Sequence, residues 1–216
     1  MEIVGLVNQC RKLDRSCARQ FEAVNLTRRR SRRISGGCLV IHLQTDRLIL
    51  RDWAPRDLSP FADMNADPRV MEFFPKTCSR EQSDDLVLGT KKSFAESGFG
   101  LFALEVRETK DFIGFTGFSS PEFKAFFTPA IEIGWRLKFS AWGQGYAREA
   151  ASACLSLGFS DLGFEGIVSF TSASNHRSIA VMEKIGMTKE QSFDHPSITK
   201  GHPLRPHVLY RAKPNK

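Results

Sequence analysis

Between Ile131 and Ala151 the chain reads IEIGWRLKFSAWGQGYAREAA, and no other stretch restricts its folding as much. Pro129 to Phe139 reads as a strand, with Glu132 on the face opposite Ile131 and Ile133. A helix is expected from Gln144 to about Ser160, carrying the small residues Ala147, Ala150, Ala151 and Cys154. A strand that passes through glycines into a helix presents first-turn amides with no intrahelical partner, where the helix dipole adds partial positive charge. Glycine also lets the backbone approach an anion without a Cβ in the way, and Lys138 and Arg148 are close in sequence. The arrangement suits a pyrophosphate. It equally suits a tight strand-to-helix turn with no ligand. A dinucleotide fingerprint does not fit, because Arg148 stands where its third glycine would fall, and the sequence has no Walker loop.

A second run narrows the reading. Ser174-Asn175-His176-Arg177-Ser178 leads into Ala180-Val181-Met182-Glu183-Lys184-Ile185-Gly186-Met187. Asn175 is a good helix N-cap, and Gly186 stands where a helix C-terminal glycine belongs. Elsewhere, Thr45–Trp53 predicts a first strand, with Leu48 and Leu50 alternating against Arg47, Ile49 and Arg51. Helices over Arg56–Asn65 and Ser79–Ser97 follow, the second opened by a capping box of Ser79 and Gln82. Gly98–Arg107 and Asp111–Ser119 read as a hairpin turning at Glu108-Thr109-Lys110. Strands at Glu165–Ser172, Met187–Phe193 and His207–Ala212 and a helix at Asn175–Ile185 complete the chain. The order β-α-α-β-β-β-α-β-α-β-β belongs to a mixed α/β (α+β) sheet.

The 216 residues, 41% hydrophobic and 25% charged, suit one globular domain with a tail. Their net charge of +7 is unevenly placed. Nine of the 31 basic residues and three of the 24 acidic ones lie in residues 1–37, which puts +6 there and leaves +1 for the rest. The basic character therefore belongs to a leader, 1–37, and not to the domain expected over 38–216. Such an arm can bind nucleic acid through phosphate contacts. Without interleaved aromatics it reads instead as a disordered extension, or as upstream sequence from a misassigned start. No apolar run approaches the roughly 18 residues of a membrane span, and the beginning lacks the apolar core of a secretory signal. The five cysteines (Cys10, Cys17, Cys38, Cys78, Cys154) are odd in number, scattered and without a C-x-x-C pair. That is neither a disulfide framework nor a zinc pattern. Free thiols, a cytoplasmic location and no metal are expected.

W-G-Q-G-Y-A-x-E-A, then a strand, then N-x-x-S and E-K-I-G-M, resembles the GNAT superfamily of N-acetyltransferases. Within it the chain resembles the branch of ribosomal-protein-alanine N-acetyltransferase-like enzymes. The resemblance covers about Thr45 to Ala212 and includes T-x-R-L-x-L-R at Thr45–Arg51 and E-I-G-W-x-L at Glu132–Leu137. It implies a mostly antiparallel central sheet flanked by helices, with strands that splay at the coenzyme site. It implies acetyl-coenzyme A as co-substrate. Pantetheine contacts would come from the backbone at Trp135 and Leu137, and pyrophosphate contacts from the amides of Gln144, Gly145, Tyr146 and Ala147. Asn175 would also touch the coenzyme. The acceptor would be a primary amine, either a protein N-terminus or a small molecule, and the sequence leaves monomer and homodimer both open. A non-catalytic module binding coenzyme A or nucleic acid is the competing class.

For amide formation the amine must attack as the neutral base. Free α-amines titrate near 8 and lysine near 10.4, so a lysine needs more help from a base. Glu132 borders the expected acyl site and is the candidate base; an acceptor-positioning or structural carboxylate is the alternative. Ser178 could return a proton to the leaving thiolate, or simply pack on its helix. A tyrosine common in the last helix of the family is replaced here by Met182, so that acid is not carried over. Phe73 and Phe74 lie between the first two helices, where the family lines its acceptor cleft. His202 and Arg205, in a stretch rich in histidine and proline, would either contact substrate or stiffen a loop. Deleting residues 1–37 should leave one cooperative thermal transition and coenzyme binding intact, since the leader lacks the apolar periodicity needed to join a core. Loss of that transition in a melting experiment would make the leader part of the fold.

Overall fold

The computed structural model describes residues 39–214. The expected leader, its boundary at Gly36-Gly37, and Cys10, Cys17 and Cys38 lie outside the described residues. In chain order the elements are β1 (Ile41–Gln44), β2 (Leu48–Arg51), α1 (Leu58–Ala66), α2 (Arg80–Ser97), β3 (Leu101–Val106), β4 (Phe112–Ser119), β5 (Ile131–Leu137), α3 (Tyr146–Ser160), β6 (Ile167–Ser172), α4 (His176–Lys184), β7 (Thr188–Asp194) and β8 (Pro206–Ala212). All eight strands join one sheet in the order β1-β2-β3-β4-β5-β6-β8-β7. Every neighbouring pair is antiparallel except β5 with β6.

Both faces of this sheet are covered, and the local sequence explains how. On one face Leu48, Leu50, Ile133 and Leu137 pack under α3 through Ala150, Ala151 and Cys154. Small residues are required there because the helix lies close to the strands. A Cβ added to Gly158 would stand 2.7 Å from Ile167 Cδ1. On the other face Trp53, Phe61, Val87, Ala103 and Phe115 form a second core with α1 and α2. Ser79 caps α2 as expected, accepting from Gln82 N while Gln82 Oε1 accepts from Ser79 N. Gly98 ends that helix in the left-handed region at φ 76°.

Three expectations change. The first strand of the sequence reading is preceded by another, β1, which pairs with it antiparallel. Helix α3 begins at Tyr146, two residues later than expected, because Gly143 (φ 75°) and Gly145 (φ 79°) are left-handed and cannot belong to a right-handed helix. The alternation of β2 does not put Arg51 in water: all four β2 residues are buried. Arg51 forks onto Asp57 with Nη1 and Nη2 at 2.6 and 2.9 Å, and its Nε donates to Glu105 at 2.9 Å. A two-faced core buries both sides of a strand, and a charge placed there survives only when its hydrogen bonds are supplied internally. Arg51→Met would take the cation from buried Asp57 and leave buried Glu105 with Arg56 as its one basic partner, and should cost about 3–5 kcal/mol in denaturant unfolding. A loss under 1 kcal/mol would mean the network is dispensable.

Candidate active site

β5 and β6 pair over only two positions, Ile131 with Ile167 and Glu132 with Val168. Beyond them β5 stays on β4 as far as Leu137, and β6 stays on β8 as far as Ser172. The two parallel strands therefore splay. Lys138 N donates to Ile113 O on β4, so by strand alternation the amides of Trp135 and Leu137 point to the opposite, open edge. On that edge Trp142 Nε1 donates to Leu137 O at 2.9 Å. A cavity of about 1050 Å³ occupies the wedge.

Helix α3 aims its N-terminus at this cavity. Its N-cap, Gly145, offers no side-chain cap, so the first amides remain available to an anion. Gly145, Tyr146, Ala147 and Arg148 line the wall. The loop is held from a distant part of the chain. Glu149 accepts from Thr45 Oγ1 at 2.5 Å, from Arg47 N at 3.0 Å and from Arg47 Nε at 2.7 Å. Arg47 Nη1 also donates to Gln144 O at 2.9 Å. Although partial burial opposes it, these bonds hold the Glu149 carboxyl below its ordinary value. Thr45 and Arg47 belong to the T-x-R-L motif; their function as a clamp on the glycine loop needed the fold to become visible. Gln144 itself is exposed and absent from the cavity wall, its side-chain amide donating to Ser140 O.

Glu132 and Ser178 both line the same cavity, as do Trp135, Leu137 and Asn175. Ser119 Oγ, directly across from Glu132 in the sheet register, donates to its carboxylate at 3.2 Å. Loss of hydration pushes the Glu132 carboxyl up to about 7, against the smaller downward pull of Ser119. Asn175 Oδ1 accepts from Ser178 N at 3.2 Å, and its Nδ2 donates to Ser178 Oγ at 3.1 Å and to Thr171 Oγ1 at 2.9 Å. Met182, buried and unable to donate a proton, also reaches the wall.

The other end of the cavity is bounded by the segment between α1 and α2 and by the segment between β7 and β8. Phe73, Phe74 and His202 line it. Arg205 does not. Its guanidinium turns back onto Asp194 Oδ2 at 3.1 Å and onto Ile198 O, bracing the loop. Of the two roles open to Arg205, stiffening is the one this geometry fits, because the carboxylate and carbonyl available to it lie in its own loop. Arg177 on α4 lines the cavity, pairs with Glu72 of the segment between α1 and α2, and lies over the rings of Trp142 and Phe73. Sequence reasoning passed over Arg136, which lies on β5 with its side chain buried against Phe74 and Phe115. Among the described residues no cluster could hold a metal ion, and no helix is long and apolar enough to cross a membrane.

Residues 47–188 match the acetyltransferase (GNAT) domain family. The chain belongs to that family. It is similar to the uncharacterized N-acetyltransferase YnaD of Bacillus subtilis, 31% identical over 154 residues, covering 71% of this chain and 86% of YnaD. Among solved structures it is similar to an acetyltransferase from Agrobacterium tumefaciens, with 28% identity and a TM-score of 0.64 over 86% of this chain and 99% of that one. A spermidine N-acetyltransferase from Vibrio cholerae, in complex with CoA and spermine, shares the fold at 18% identity and a TM-score of 0.62, over 78% and 96% of the two chains. The splayed β5 and β6 are thus those of a GNAT acyltransferase, with acetyl-coenzyme A as co-substrate. Gly145→Glu would place a side chain and a negative charge at the N-terminus of α3. The folded variant should lose the rise in melting temperature that acetyl-coenzyme A gives the wild type by binding the native state. An unchanged shift would remove the phosphate role from this turn.

Proposed function

We propose that this GNAT enzyme acetylates the α-amine of its acceptor by direct attack within a ternary complex, with Glu132 as general base. What carries the reading is Glu132 itself, a carboxyl tuned to about 7 on the wall of the wedge where β5 and β6 part. A base of that strength matches an amine that titrates near 8 far better than a lysine near 10.4. Bound acetyl-coenzyme A supplies the thioester carbonyl that is attacked and the thiolate that leaves. The amides of Gly145, Tyr146 and Ala147 would hold its pyrophosphate, and the open edge at Trp135 and Leu137 its pantetheine arm. The Trp135 amide would face the charge developing on the carbonyl oxygen. Ser178, its hydroxyl oriented by Asn175, would return a proton to the thiolate. The resemblance to ribosomal-protein-alanine acetyltransferases favours a peptide or protein N-terminus as the source of the α-amine.

Glu132→Gln keeps the shape and cannot accept a proton. A general base contributes about 10²–10⁴-fold, so kcat/KM should fall by at least about 100-fold. In the wild type, kcat/KM should rise as pH passes upward through about 7, because the base form appears there. The variant should lack that limb. Stability gives an independent readout. Folding raises this carboxyl from the usual 4.3 or so, which disfavours the ionised form in the native state. Its contribution is full at low pH and is lost as pH rises through about 7. The Gln variant should therefore gain in melting temperature on the wild type between about pH 5 and pH 8. A variant with wild-type turnover at neutral pH would leave deprotonation to water.

A further inference from the structure

Among the described residues Arg136 is a buried cation without a counter-ion. Only 6% of the residue is exposed. Its Nη1 donates to Asn65 Oδ1 at 2.6 Å, and its Nε has no hydrogen-bond partner. Phe74 and Phe115 offer ring faces at 4.2 and 5.5 Å. Burial draws the guanidinium down to about 10, which still leaves it charged at neutral pH. Among the described residues no carboxylate acts on it, and the one titratable group that does is Cys78. The Cys78 thiol is raised by burial and so is neutral. Asn65 is itself fixed, its Nδ2 donating to Ser83 Oγ at 2.8 Å, so the guanidinium is held in place while its Nε donor goes unused. An uncompensated charge is among the most expensive things a protein can bury, and Arg136 lines the cavity. A ligand reaching it could supply the missing anion.

The partner across the strand face is Glu132. Glu132, Gly134 and Arg136 alternate onto one face of β5, which puts the two charged residues about 13 Å apart at their Cα atoms, less the reach of two long side chains. Between them Gly134 leaves the floor open: a Cβ built there would meet nothing within 4 Å. We infer that the acceptor carries a carboxylate as well as its amine, the amine lying at Glu132 and the carboxylate seated on Arg136 across Gly134. The inference rests on the amine-acetyltransferase reading above. A polyamine fits this floor poorly, since its further cations would face a guanidinium. The carboxylate can come from a free amino acid or from an acidic side chain at the start of a peptide.

The test measures thiol release from acetyl-coenzyme A by the full chain with matched acceptors. Glycine, leucine and phenylalanine are each compared with their primary amides, 4-aminobutanoate with butylamine, and Asp-Ala-Ala-amide with Asn-Ala-Ala-amide; spermidine is added alone. Charge-assisted hydrogen bonds of this kind should favour the acid over its amide by about 10- to 100-fold in kcat/KM. That preference would run against amine reactivity, because the amide's less basic amine is more often neutral. A preference among the free acids points to an amino acid, and one confined to the aspartyl peptide points to a peptide. In Arg136→Gln the acid-to-amide ratio should collapse toward one while acetyl-coenzyme A still raises the melting temperature. Should that variant fail to fold, 3-phenylpropanoate must compete with the amine in the wild type, and 3-phenylpropanamide must not. Equal use of acids and amides, a better rate with butylamine or spermidine, or an unchanged ratio in Arg136→Gln would overturn the inference. If no amine releases thiol although acetyl-coenzyme A binds, the acetyltransferase reading falls, and this inference with it.

Discussion

β5 and β6 run parallel for two paired residues and then separate, because each is committed along its whole length to a different antiparallel neighbour. β4 and β8 thus pull the sheet apart at its centre. A strand edge opened inside a protein leaves backbone donors and acceptors that need partners. Trp142 satisfies the Leu137 carbonyl, and a bound ligand with amide groups of its own can satisfy others. The same divergence makes room for the cavity and brings the N-terminus of α3 to its rim.

The wedge would be of little use if the glycine loop at its rim could move freely. Two left-handed glycines give the turn from β5 into α3 but no rigidity of their own. Rigidity comes from Glu149, in the first turn of α3, gripped by Thr45 and Arg47 from the turn between β1 and β2. Arg47 then reaches on to the loop carbonyl of Gln144. Four residues further on, Arg51 knits β2 to the segment before α1 and to β3. One short motif thus fastens the glycine loop at one end and a buried ionic junction of the second core at the other.

Glu132 and Arg136 share a sheet face with the Arg51–Asp57–Glu105 junction but take no bond from it, and that gives each charge its leverage. Glu132 meets one hydroxyl donor and no cation, so its proton is held to about neutrality. Arg136 meets one amide oxygen and two aromatic rings. In a poorly hydrated cleft these two groups can select a partner electrostatically with a strength that water would dissolve.

Local chemistry made much of this legible from residues alone. The Ser79–Gln82 capping box, the Asn175 N-cap, Gly186, the glycine turn ahead of α3 and the opposed faces of Glu132 and Ile133 all depend on contacts within a few residues, and each lies close to its expected place. The small residues of α3 let it lie close to its sheet, and Gly158 shows how close. What the fold alone decided involves residues distant in sequence. Arg51 stands opposite Leu48 and Leu50 in the strand alternation, and only the second core shows that its own face is covered too. Arg205 reads equally as a substrate contact or a loop brace until its loop closes on itself. Glu149 meets Arg47 across 102 positions and Arg136 meets Asn65 across 71. The sequence by itself determined most of the elements and the glycine turn ahead of α3, because hydrogen bonding and steric preference act over a few residues. Which charges are paired, and which one is left buried and waiting, was decided only when the sheet gathered those distant segments and removed the water between them.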